Sequence, residues 1–136
     1  MASWDDFRRQ APDLADGAPR LTGLEVHFGE GELWLAMMPG SRKADDLRRD
    51  PRFSLHSAPD LSMVDGDAKV GGRAVPVADE PTITRFVNRL PEELPSSGMG
   101  LFRADLADAS LARVEGDFMV IDVWTDGEAP RQVRRQ

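Results

Sequence analysis

The chain has 136 residues, enough for one domain with a hydrophobic core of its own. Its 17 basic residues against 24 acidic ones leave a net charge of −7, which argues against nucleic-acid backbone binding as the main activity. The absence of cysteine removes disulfides, thiolate metal sites and a cysteine nucleophile, and His27 and His56 have no metal-ligand spacing. No signal peptide and no long apolar span is visible, so the expectation is a cytoplasmic protein with neither a membrane nor a nucleic-acid partner.

In chain order, residues 3–10 are predicted to form a short helix, with Trp4 and Phe7 on one face and Pro12 ending it. The ADGAP run at 15–19 is turn chemistry. From Arg20 the period becomes two: Leu24, Val26 and Phe28 share one face of a strand running to Phe28, and Glu25 and His27 share the other. GEGE at 29–32 reads as a hairpin loop. The returning strand, 33–38, is apolar on both faces and needs cover on each, from a helix, a cofactor or a second subunit.

The segment MMPGSRKADDLRRDP, 37–51, is predicted to be a turn and a short helix that starts at Ser41 and stops before Pro51. Ser41 suits the N-cap, where its hydroxyl can accept a backbone N–H. Asp45 and Asp46 near the start, and Arg48 and Arg49 near the end, complement the helix dipole. Arg42 and Lys43 oppose it, each at a cost of about 0.3–1 kcal/mol. An anion bound at the helix start would reverse that sign. Two readings stand on these residues alone: a phosphate site, or a solvated basic first turn.

Strands are predicted over 52–57 and 68–77, separated by a loop, with Gly71-Gly72 marking a bulge or a close backbone approach. Ile83, Phe86, Val87 and Leu90 give an amphipathic helix over 81–90, with Pro81 in its first turn. After a loop at 91–100, short strands are expected at 101–106 and 110–115, a longer one at 117–124, and a terminal strand or tail at 131–135. Antiparallel strands interrupted by two short helices suggest a small Greek-key β-barrel.

DGAPR, the hairpin, PGSRKADDLRRDPRFSLH, GDAKVGGRAV, and VIDVW with a basic tail together resemble the pyridoxamine 5′-phosphate oxidase-like family. The resemblance covers about 17–135, and its most specific part is Ser41-Arg42-Lys43-Ala44 with RDPRFSL behind it. It implies a mainly β, antiparallel FMN-binding split barrel as a single domain over 1–136, with 1–16 a short helix and turn and 17–136 the barrel. It also implies a homodimer with FMN bound between subunits, a small-molecule substrate, and flavin-mediated hydride transfer. Ser41, Arg42 and Lys43 would hold the flavin phosphate. Trp124 would lie against the flavin, and Arg134, with Arg131 as the alternative, would take the place of a following cofactor-contacting arginine.

The departures are specific. Thr22 and His27 stand where the true oxidase has an arginine and a lysine, and Asp67 stands where a glutamine contacts the flavin. The oxidase's substrate-binding histidine is not visible after Trp124, so pyridoxamine 5′-phosphate oxidation is not the expected activity. No residue has to be a general acid or base; His27 is the one candidate. The family's longer first helix and apolar first strand are shortened here, which predicts that the strand over 20–28 has an open or loosely covered edge. Two alternatives remain: a deazaflavin (F420)-dependent reductase on the same fold, or a non-catalytic or degenerate flavin-binding protein.

Overall fold

The computed structural model describes residues 20–91 and 98–136; the helix expected over 3–10 and most of the 91–100 loop lie outside the described residues. The elements are β1 (Val26–Gly29), β2 (Glu32–Met37), α1 (Arg42–Arg49), β3 (Arg52–His56), β4 (Asp67–Pro76), α2 (Glu80–Val87), β5 (Gly100–Glu115), β6 (Phe118–Thr125) and β7 (Arg131–Arg135). Hydrogen bonds link the strands in the order β1-β2-β5-β4-β3, with β6 joined to β5 and β7. The pairs β1–β2, β2–β5, β5–β6 and β6–β7 are antiparallel.

The chain divides into two compact units. The first comprises the described residues up to Arg52 together with Ala74–Asp105. Its hairpin closes with a two-residue loop in which Glu30 (φ 55°) and Gly31 (φ 75°) both adopt left-handed geometry, the twist that suits paired strands. β2 is buried on both faces, as its sequence requires, and the cover comes from within the chain. On one face Trp34 packs with Ile83, Phe86 and Leu101. Asp79 caps α2 by accepting the Thr82 N–H at 3.0 Å, and Pro81 sits in its first turn. Glu30 pairs with Arg89 at 3.0 Å and with Arg85 at 3.5 Å, tying the hairpin loop to the helix. On the other face α1 approaches β5 so closely that a Cβ on Gly100 would stand 2.8 Å from that of Ala44 and 3.5 Å from that of Met37.

The second unit comprises Phe53–Arg73 and Leu106–Gln136. Phe53 and Val120 are its buried apolar side chains. The close approach expected at Gly71-Gly72 is real: the Asp108 carboxylate lies 2.8 Å from where a Gly71 Cβ would be.

Two elements differ from expectation. The strands expected at 101–106 and 110–115 are one strand, β5: residues 107–109 hold no glycine or proline, Asp108 alone does not turn the chain, and pairing persists, with β2 along Gly100–Arg103 and β6 along Asp108–Glu115. The strand expected from Arg20 begins only at Val26. Arg20 and Gly23 instead make polar bonds to α1, which draw this stretch away from a ladder. Among the described residues β1 pairs with β2 alone.

The packing around β2 predicts that Phe86→Ala destabilises the protein by about 3–5 kcal/mol in denaturant unfolding, since Phe86 is wholly buried against Trp34. Phe28→Ala, at an 83% exposed position, is expected to change stability by no more than about 0.5 kcal/mol.

Candidate functional site

The first group of polar residues is built on α1. Ser41 occupies the N-cap position, but its hydroxyl makes no capping bond, unlike the sequence expectation. Its carbonyl accepts from the N–H groups of Ala44 and Asp45 at 3.0 and 3.3 Å. The N–H groups of Arg42 and Lys43, the first two of the helix, have no acceptor among the described residues. The Arg42 guanidinium is exposed and likewise has no partner among them. Lys43 Nζ donates to the Gly23 carbonyl at 2.7 Å, and the Thr22 hydroxyl reaches the same oxygen at 3.4 Å. A lysine has three donors, so two remain to Lys43.

The acids of α1 do not neutralise this end. Asp45 is taken by Arg48 at 3.0 Å. Asp46 is buried and accepts from Arg20 Nε at 2.6 Å and from Arg49 at 2.8 Å. The Arg20–Asp46 pair, which spacing alone could not reveal, lays residues 20–23 along the helix and sets Thr22 beside Lys43.

The second group lies in the other unit. An open cleft of about 580 Å³ is lined by Val70, Leu111, Val123, Trp124 and Pro130, with Lys69 and Arg131 among its charged members. Trp124 is 36% exposed, so an aromatic surface is presented to the cleft rather than spent in a core. Asp122 and Gln132 also line it. The Gln132 amide and then the Arg113 guanidinium hold the Asp122 carboxyl below the usual carboxylate range. Arg134 is not among the lining residues: it lies over the Phe118 ring at 5.2 Å and 3.8 Å from Glu115. Lys69 carries no signal in the sequence, being one lysine on a strand.

Asp67 serves the loop between β3 and β4. It accepts the Asp60 N–H at 3.0 Å. Asp60 in turn accepts from Ser62 Oγ (2.7 Å) and from the N–H groups of Ser62, Asp65 and Gly66 (3.0, 3.0 and 3.2 Å). His27 is half-buried, edge-on to Phe86 at 5.4 Å, and lines a hollow of about 170 Å³ with Glu25, Met38 and Met99. Among the described residues no cluster of histidine, aspartate and glutamate could hold a metal ion, and no helix is long and apolar enough to cross a membrane.

No protein-family model and no curated protein matches this sequence. Among solved structures, the chain superposes on a pyridoxamine 5′-phosphate oxidase-related, FMN-binding protein from Nostoc punctiforme PCC 73102 with a TM-score of 0.69 and 13% identity, over 93% of this chain and 84% of that one. A second solved structure matches with a TM-score of 0.58 and 19% identity, over 90% of this chain and 79% of the other. The fold is the FMN-binding split barrel. It is reached with little sequence in common, as expected when strand pairing and burial pattern, rather than particular side chains, specify a barrel.

The Asp60 loop gives a pH prediction. The Ser62 hydroxyl, followed by the Gly66 N–H, lowers the Asp60 carboxyl from 3.8 to about 2. A carboxyl lowered by folding stabilises its loop fully above the unfolded value and loses that contribution as pH falls through the folded one. The amides of Asp65 and Gly66 are therefore expected to stay protected at pH 5 and to lose protection between about pH 4 and pH 2 in hydrogen exchange. Asp60→Asn is expected to abolish that pH dependence.

Proposed function

We propose that this protein is a flavin-binding oxidoreductase of the pyridoxamine 5′-phosphate oxidase-like family, working as a homodimer that uses FMN on a small-molecule substrate. The observation that carries the reading is the start of α1, where one helix terminus brings together two N–H groups without acceptors, an uncommitted Ser41 hydroxyl, an unpaired Arg42 and spare Lys43 donors among the described residues. That donor set fits a phosphate monoester, which offers several acceptor oxygens and the negative charge a helix N-terminus favours. The FMN-binding neighbour of the same fold supports the choice of cofactor.

FMN, when bound, supplies the hydride-transfer chemistry. The protein's part is to bind, orient and exclude water. Arg42 and Lys43 neutralise the phosphate. Lys43 can do so while keeping its bond to the Gly23 carbonyl, which holds residues 22–23 against the helix. The second unit by itself has an apolar cleft lined by Trp124, Val70 and Leu111, with Lys69 and Arg131 as cations, of a kind suited to a planar ring with polar substituents.

The test is a fluorescence titration of apoprotein with FMN. Arg42→Ala with Lys43→Ala removes two charge-assisted contacts worth about 1.5–3 kcal/mol each, so the dissociation constant is expected to rise by at least a hundredfold. Riboflavin, which lacks the phosphate, is expected to bind wild type and variant alike. An unchanged FMN constant would return α1 to a solvated basic turn. Titration with F420 in parallel decides between the two flavin classes.

A further inference from the structure

In the cleft of the second unit, one neutral side chain has its orientation dictated by its neighbours. Cross-strand register places Leu111 opposite Asp122, Asp122 opposite Gln132, and Ala109 opposite Trp124. Directly opposed residues of antiparallel strands share a face, and so do alternate residues along one strand. Ala109, Leu111, Asp122, Trp124 and Gln132 therefore stand on one face of β5, β6 and β7, and all of them line the cleft.

Asp122 is ionised at neutral pH, since its carboxyl is held below the usual range, and an ionised carboxylate only accepts. Its Oδ2 accepts from the Arg113 guanidinium, which Glu115 also holds at 3.0 Å. Its Oδ1 accepts from Gln132 Nε2 at 2.7 Å. An amide turned the other way would set Gln132 Oε1 against a carboxylate oxygen, with no hydrogen between them. The amide thus has one orientation, and its Oε1 has no donor among the described residues. Lys69, which lines the same cleft from β4, can only donate. Both oxygens of Asp122 are taken. Gln132 Oε1 is an acceptor already set in place on the face that presents Trp124.

We propose that Gln132 is the specificity-determining residue of this cleft: its Oε1 accepts the imide N–H of a planar heterocycle that lies against Trp124, while Lys69 donates to a ring carbonyl. Asp122 is the positioning residue that holds the amide in the accepting orientation. The ligand class is a ring that carries a carbonyl beside an N–H, as uracil does and as the pyrimidine end of a flavin does. A ring whose corresponding nitrogen bears no hydrogen leaves Oε1 without a donor and is bound less well. The inference rests on the flavin reading for the identity of the ring, and it concerns the second unit alone.

The experiment compares FMN with 3-methyl-FMN, whose imide nitrogen carries a methyl group in place of hydrogen, by fluorescence titration of apoprotein. Both have the phosphate, so the ratio of their dissociation constants does not report on α1. Wild type is expected to bind FMN about three- to tenfold more tightly than the methylated analogue. Gln132→Leu is expected to weaken FMN binding by about the same factor and to bring the ratio close to one. Asp122→Asn lets the amide turn either way and is expected to lower the ratio, which a loss of stability alone would leave unchanged. Equal binding of the two flavins by wild type overturns the proposal, even where a variant fails to fold, and so does a ratio that Gln132→Leu leaves at the wild-type value. In both cases FMN still binds and the flavin reading stands. Wild type that binds no FMN overturns both.

Discussion

The fold of the first unit depends on one constraint: β2 is apolar on both faces and has to be covered on both. Trp34 on one face calls for α2, and the contacts with Phe86 and Ile83 place it. The indole N–H then needs an acceptor, and it finds the Gly29 carbonyl at 2.9 Å, so the hairpin is fixed by the residue the helix covers. The opposite face brings in α1 through the close approach of Ala44 to Gly100, the strand partner of Met37. The helix that carries the candidate phosphate site is therefore held by core packing rather than by its own termini. An eight-residue helix could not hold itself in place, since isolated helices of this length are marginal in water.

That placement gives the charges of α1 their meaning. Six of its eight residues are charged, and the neutralisation is uneven. Asp45 and Asp46 serve arginines at the helix end or on the preceding segment, while the positive terminus keeps both of its cations. Burying Asp46 would be costly without two guanidinium partners, so Arg20 is needed for stability as well as position. The same pair explains why the chain is not a strand over 20–25. Its side chains and carbonyls serve α1, and the ladder forms only once Val26 passes beyond the helix.

Much of this was readable in the residues. Ile83, Phe86, Val87 and Leu90 announced α2, because apolar spacing on a helix survives any tertiary context. The hairpin and Gly71 were readable because each reflects a local requirement of turn or space. Two short strands could not be told from one long one at 101–115, because a strand's length depends on partners distant in sequence. Of the candidate site, only Ser41-Arg42-Lys43 drew notice from the residues alone, because the oddity there is local. Which residues stand beside Trp124 turns on strand register and on which strands neighbour β4, and neither is written in spacing. Ser41 shows the converse: a good capping residue whose hydroxyl makes no capping bond, which propensity alone cannot foresee.

The two units differ in how much each buries. The first has a core built around Trp34, Leu35, Phe86 and Phe102, whereas Phe53 and Val120 are the buried apolar side chains of the second. Apolar burial stabilises at roughly 25 cal/mol per Å². A unit with so thin an interior gains proportionally more than the first from covering an outer face. Its loop is held by Asp60 through four hydrogen bonds, a rigidity that a purely solvated turn has no need of. A second unit of this build therefore relies more on polar ties, such as those of the Asp60 loop, and less on interior burial than the first.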